Sequence, residues 1–225
     1  MGSPFDFAEQ GILYVAAHLD PPGREHPSAD ALAEMTSLVT ALEGRALVLC
    51  SSWRGVERAE EALEKAFAEI DPRPRLIVQR RGDAVAPLVR EFADDLSSVL
   101  VGTMSLWQGV DVPGESCALV VIDRLPFPRP DDPVLAARSE AVDEAGGSGF
   151  MAVSVPRAGL LLAQAAGRLI RSDADRGVVA VLDSRLHRAR YGTYLRASVP
   201  PLWYTTDADG VRGALGRLAA EWRSQ

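Results

Sequence analysis

Four short apolar runs set the architecture: ALVLCSS (46–52), SVLVGT (98–103), CALVVID (117–123) and GVVAVLD (177–183). Each is continuous rather than alternating, the pattern of a strand buried on both faces. Between them lie longer stretches with helical spacing. SADALAEMTSLVTALEG (28–44) has Ser28 as a helix N-cap and closes on Gly44, GVERAEEALEKAFAEI (55–70) runs up to Asp71-Pro72, and DAVAPLVREFADD (83–95) is a third helix. GILYVAAHL (11–19) and RLIVQ (75–79) read as further strands. Residues 131–145, RLHRARYGTYLRA (185–197) and 209–222 read as helices, and GGSG (146–149) as a flexible break. Strands and helices in alternation predict an α/β fold with a mostly parallel sheet covered by helices on both faces. Ligands of such sheets bind beyond the carboxyl ends of the strands. That directs attention to the turns after 46–52 and 98–103 and to the loops around 183.

The chain of 225 residues has ordinary apolar (47%) and charged (24%) content for a soluble globular protein. No apolar run of transmembrane length and no signal segment is expected. Cys50 and Cys117 sit inside apolar strands and read as buried free thiols of a reduced compartment. Two cysteines are too few for a four-cysteine iron–sulfur cluster within this chain. His18, His26 and His187 lack ligand spacing, so no metal site is expected. The net charge of −7 argues against a wholly basic nucleic-acid binder, yet residues 150–200 hold 8 Arg against 3 Asp. A local positive patch on an acidic body suits a phosphate ligand at one site. Lys65 is the single lysine, and it follows Glu64. A GxxxxGK[ST] phosphate loop, which needs lysine after glycine, is therefore excluded from this chain.

The positive patch has a pattern. In LLLAQAAGRLIRSDADRGVVAVLD (160–183), Gln164, Arg168 and Arg171 stand at i, i+4 and i+7, and Arg157 falls on the same line. On a helix they form a narrow polar stripe between apolar walls. Such arginines line a cleft or pair with buried acids. VGTMSLWQGVDVPGESCALVVIDRLPF (101–127) follows a strand, and Gly102, Gly109 and Gly114 permit a tight loop whose amides can approach a phosphate. The plain alternative is a strand connection with a Pro-Gly turn.

Together, LWQGVDVPG…LVVIDRLPF and QAAGRLIRSDADRGVVAVLDSR resemble motifs V and VI of superfamily 2 helicases, in the DinG/XPD-like branch. GSPFDFAEQ (2–10) resembles the segment after motif III, RALVLCSSW (45–53) motif IV, and VLDSRLHRARYGTYLRASVPP (181–201) the D-x-R…YG…LP ending. The resemblance covers nearly the whole chain. It implies a RecA-like (P-loop NTPase-type) fold and a single second motor domain over 1–225, with 1–27 a lead-in segment after motif III. The first motor domain, with its phosphate loop, is expected outside this chain.

The resemblance implies an ATP-dependent 5′-to-3′ DNA helicase, an ATP hydrolase of replication or repair in the bacterial cytosol. This chain alone would be inactive. Arg168 and Arg171, with Gln164, would be the catalytic set, the arginines reaching the γ-phosphate across the domain cleft. Gly109, Asp111 and Gln108 would lie on the nucleotide side; Gln108 stands where the family often has Glu. Ser51, Ser52, Trp53 and Trp107 would contact DNA. The partners would be single-stranded or forked DNA and the first motor domain, with no membrane. ATP and Mg²⁺ would be held mainly by that other domain, where the family also allows an iron–sulfur cluster. Other readings stay open. Ser51 and Ser52 suit a helix N-cap, and Trp53, Trp107 and Phe150 suit core packing as well as base stacking. Asp183 and Arg185 suit a local ion pair. The alternative for the whole chain is a stand-alone, non-enzymatic RecA-like module that binds nucleic acid or protein.

Overall fold

The computed structural model describes residues 6–23, 27–108, 116–128, 132–170, 172 and 174–224; of Trp107, Gln108 and Arg168 it describes the backbone alone. In chain order the elements are α1 (Phe7–Gln10), β1 (Gly11–Val15), α2 (Ala29–Leu42), β2 (Ala46–Cys50), α3 (Trp53–Phe67), β3 (Arg75–Val78), α4 (Val85–Asp94), β4 (Ser98–Thr103), a 3₁₀ turn (Met104–Gln108), β5 (Leu119–Ile122) and α5 (Pro133–Glu144). A π-helical turn (Phe150–Ser154), α6 (Val155–Leu169), β6 (Gly177–Val181), α7 (Arg185–Arg188), α8 (Gly192–Ser198), β7 (Trp203–Thr205) and α9 (Ala208–Arg223) follow.

The strands form one sheet in the order β3-β4-β2-β5-β6-β1-β7, and every pairing is parallel. β2, β5 and β6 are buried at every position, as their unbroken apolar runs require. One face carries α2, α3 and α9, through Leu38, Val39, Leu63, Phe67, Val211 and Leu215. The other carries α4, α6 and α8, through Phe92, Leu162, Ala166, Leu169 and Leu195. This is the α/β class expected from the sequence. A parallel sheet also has two distinct rims. All strands begin at an amino rim and end at a carboxyl rim, about 15 Å apart for five residues.

The elements follow the expected pattern, with differences at their ends. Ser28 caps α2 by accepting the Ala31 amide at 3.1 Å. The helix stops at Leu42, because Glu43 (φ 64°) and Gly44 (φ 136°) turn left-handed. A side chain at Gly44 would fall 2.8 Å from the Ser97 backbone, so glycine is required by conformation and by space. Residues 185–197 form two helices rather than one, since Ala189 (φ −80°, ψ 151°) is extended between them. α1 and the edge strand β7 are not legible in the hydropathy pattern, both being too short to show a period.

One expectation needs correction. Phe150–Gly167 is long and apolar enough to cross a membrane. Here it is a helix of the α/β fold: Val155, Ala158, Leu162, Ala165 and Ala166 are buried in the core on one face of the sheet.

Candidate functional site

At the amino rim, α6 ends at Leu169 and β6 begins at Gly177. Gln164 is exposed and Arg168 follows it by one helical turn, so these two share a face as expected. Arg157, on the same line, is also exposed. α6 ends at Leu169, and Ile170 is already extended (φ −120°, ψ 113°). Arg171 itself lies outside the described residues. Leu160, at 49% exposure, is on the open side of α6 beside Arg157 and Gln164, so the wall there is uncovered in this chain.

The turn is held firmly on both sides of position 171. Ile170 is 2% exposed and packs in the core. The Asp175 carboxylate accepts the Ser172 amide at 2.8 Å and the Ser172 hydroxyl at 2.9 Å. Gln10, the last residue of α1, donates its carboxamide to the Ser172 carbonyl at 2.8 Å. A side chain at Gly177 would fall 2.5 Å from the Ala118 carbonyl oxygen, so glycine lets the turn enter the sheet close against β5. The carboxyl-terminal end of α6, which carries position 168, therefore sits at the amino rim of the sheet.

The carboxyl rim gathers a different set. β2 is followed by Ser51 and Ser52, and Trp53 opens α3. Ser51 donates its amide and its hydroxyl to the two oxygens of Asp123, at 2.9 Å each, where β5 ends. Burial raises the Asp123 pKa to about 6, and the Ser51 hydrogen bonds only partly offset it. Ser52 is the N-cap of α3, accepting the Gly55 amide at 3.0 Å. Trp53 is half-buried, with the Arg81 guanidinium 5.3 Å from its ring centroid. Thr103 closes β4, its amide and hydroxyl donating to Gln79. The side chains of Trp107 and Gln108, and the residues Gly109 and Asp111, lie outside what the structure describes. Their segment begins at the carboxyl end of β4 and β5 starts at the amino rim, so the connection returns from one rim to the other.

Beyond Asp123 lies a groove of about 770 Å³, lined by Ser51, Arg124, Phe127, Arg157, Leu161 and Arg185 among others. Its floor is a buried ion pair. Asp183, fully buried at the end of β6, accepts Arg185 Nε at 2.9 Å, Arg185 Nη2 at 2.6 Å and the Leu125 amide at 2.9 Å. The local ion pair expected from the sequence is present. Phe127, Phe150 and Tyr191 meet as three rings with centroids 5.2–5.5 Å apart, and Phe150 is 43% exposed. Phe150 thus both packs against two rings and stays partly open to solvent.

Sequence reasoning missed Asp123 and Gln10. Asp123 had a signal, a carboxylate ending an apolar strand. Gln10 had none, because its partners are backbone atoms 162 residues away. Cys50 and Cys117 are both free and buried, and burial pushes the Cys50 thiol up in pKa. Among the described residues, no three His, Cys, Asp or Glu side chains converge as a metal site. Lys65 is exposed on α3, far in sequence from any glycine-rich turn.

The seven-stranded parallel sheet with helices on both faces is a RecA-like α/β domain. Residues 35–202 match the helicase C-terminal domain family, and the chain belongs to that family. It is 54% identical over 220 residues to the ATP-dependent helicase DinG of Mycobacterium tuberculosis, covering 97% of this chain and 32% of that protein. It is 36% identical over 206 residues to the ATP-dependent DNA helicase YoaA of Escherichia coli, covering 91% of this chain and 31% of that protein. The chain thus spans about a third of the length of these curated relatives. Among solved structures, an apo XPD matches with TM-score 0.61 at 17% identity, over 89% of this chain and 40% of the other. An XPD helicase matches with TM-score 0.56 at 18% identity, over 87% and 36%. At these identities the likeness establishes the fold.

Proposed function

We propose that this chain is the second motor domain of an ATP-dependent, 5′-to-3′ DNA helicase acting in replication or repair in the cytosol. The relatives' names supply the activity: ATP-dependent helicase and ATP-dependent DNA helicase. The observation that carries the reading is the anchored turn at the amino rim, with Arg168 in the last turn of α6 and Arg171 just beyond it. The one lysine of the sequence is on α3, so the chain has no GxxxxGK[ST] phosphate loop. ATP and Mg²⁺ are held by a first motor domain, together with any iron–sulfur cluster, and this domain supplies the trans-acting arginines.

The chemistry follows from the side chains. As water attacks the γ-phosphorus and the bond to ADP breaks, negative charge redistributes over the phosphoryl and leaving-group oxygens. A guanidinium donates two parallel hydrogen bonds and stays charged, so Arg168 and Arg171 stabilise that charge when the two domains close. An arginine finger is worth about 10³–10⁵ in rate. Gln164, one turn before Arg168, hydrogen-bonds the same ligand, and Gln108, Gly109 and Asp111 link this side to the strand track.

Single-stranded or forked DNA occupies the opposite, carboxyl rim. Ser51, Ser52, Trp53 and Trp107 border it, with the positive end of the α3 dipole behind them. Both donors of Ser51 are turned toward Asp123, so phosphate attraction there comes from the α3 terminus and from Arg124 and Arg157 along the groove. Binding of a fluorescent dT oligonucleotide to this chain tests the assignment. Affinity should be weak, fall steeply with salt, and drop further in Arg157→Ala. Tight, salt-independent binding would favour a stand-alone module instead.

A further inference from the structure

Residues 184–206 carry charge of one sign: Arg185, Arg188, Arg190 and Arg196 with no Asp or Glu, in a protein of net charge −7. They fold as α7, α8 and β7, at the β1–β7 side of the sheet. Within this segment His187 of α7 meets Tyr204 of β7, with Nδ1 and the hydroxyl oxygen 2.5 Å apart. The ring centroids are 6.3 Å apart and the planes differ by 9°. A hydrogen bond from the tip of one ring to the edge of the other spans that separation only when both centroids and the bond lie nearly on one line. The two rings therefore lie side by side in one plane, as a single flat surface, rather than face on face. That surface is open and carries a cation. His187 is exposed, Tyr204 is 36% exposed, and the Arg196 guanidinium is 5.1 Å from the Tyr204 centroid. The neighbouring arginines are tied down: Arg196 donates to the Leu186 carbonyl and to Thr193 Oγ1, and Arg188 donates to the Ala17 carbonyl at 2.6 Å. Fixed guanidiniums beside a flat aromatic face suit a phosphate chain with unpaired bases. Trp203 takes no part, since it lines a pocket with Arg217 and Leu218 of α9, on the other face of the sheet.

We infer that the coplanar His187–Tyr204 pair is a stacking platform for a base of single-stranded nucleic acid, at the outer end of the carboxyl-rim track. The inference rests on the proposed function for the track itself. The two are continuous, because Arg185, which lines the groove, stands two residues before His187 on α7. In sheet order β5, β6 and β1 separate β2 from β7, so four strand spacings put the platform about 19 Å across the sheet from the Ser51 end of the track. Every base has a π face, so such a platform is tolerant of sequence.

The test titrates this chain with a fluorescent dT oligonucleotide and with an abasic deoxyribose-phosphate oligomer of the same length. Tyr204→Ala should weaken dT binding about 5- to 100-fold. It should leave abasic binding unchanged, since only a base can stack. The slope of dT affinity against salt should also stay the same in Tyr204→Ala, whereas losing an arginine that contacts phosphate lowers it by about one. Tyr204→Phe keeps the ring and should retain most of the affinity. Should Tyr204→Ala lower the melting temperature, His187→Ala, at an exposed position of α7, takes its place and is read the same way. Unchanged dT affinity in a folded variant, equal losses for dT and the abasic oligomer, or a changed salt slope overturns the platform. If dT binding survives Tyr204→Ala but falls in Arg157→Ala, the platform falls and the track stands. If Tyr204→Ala weakens binding and Arg157→Ala does not, the groove assignment falls and the platform stands. A parent chain that binds no dT overturns both.

Discussion

Asp123 and Ser51 tie the ends of two adjacent strands together: both Ser51 donors, amide and hydroxyl, enter the Asp123 carboxylate at 2.9 Å. The carboxylate is nonetheless raised in pKa, because its loss of water outweighs the two bonds.

The first expected outcome concerns its titration. The folded pKa of about 6 lies above the ordinary 3.8. The folded state therefore binds the proton more tightly, and the stability Asp123 contributes is fully present below pH 3.8 and lost as pH rises through about 6. Asp123→Asn removes that dependence, so the variant should gain on the parent in urea midpoint between pH 4 and pH 7. A parent that instead gains on the variant over that range would show a carboxylate stabilised in its ionised form.

A second outcome concerns the floor of the groove. Asp183 is fully buried and Arg185 forks onto it through Nε and Nη2. Removing one partner of a buried pair costs about 3–5 kcal/mol. Arg185 is 34% exposed and can recruit water, so Asp183→Ala should sit near the lower end, about 3 kcal/mol in denaturant unfolding. A loss below about 1 kcal/mol would mean that the pair is a surface feature.

Both residues illustrate what could be read from the chain alone. Asp183 and Arg185 are two positions apart at a strand end, and local spacing made the pair legible. The sheet was legible for a similar reason: strands buried on both faces, such as β2 and β6, leave unbroken apolar runs. Gln10 was not legible, because its partner is a carbonyl in a turn 162 residues later. The end of α6 was not legible either, and Arg171 lies outside the described residues. Spacing alone continues a helix indefinitely, and nothing in LLLAQAAGRLIRS marks Leu169 as its end.

A third outcome follows from the missing lysine loop. This chain alone should hydrolyse ATP no faster than background, in the presence or absence of single-stranded DNA. Turnover that co-purifies with the chain and disappears in Arg168→Ala would show a complete site here and would sink the two-domain reading.

The central claim is that the amino-rim arginines serve a transition state formed on another domain. The most direct measurement is DNA-stimulated ATP turnover beside ATP affinity, in a protein carrying both motor domains, for Arg168→Ala and Arg171→Ala made separately. Turnover should fall about 10³-fold or more in each while ATP affinity and melting temperature stay near the parent's, since the ground state is held elsewhere. Lysine at either position should rescue poorly, because a point charge lacks the planar fork. Near-normal turnover in a folded variant, or a loss of turnover that merely tracks a loss of melting temperature, would contradict the account and return the arginines to a structural role.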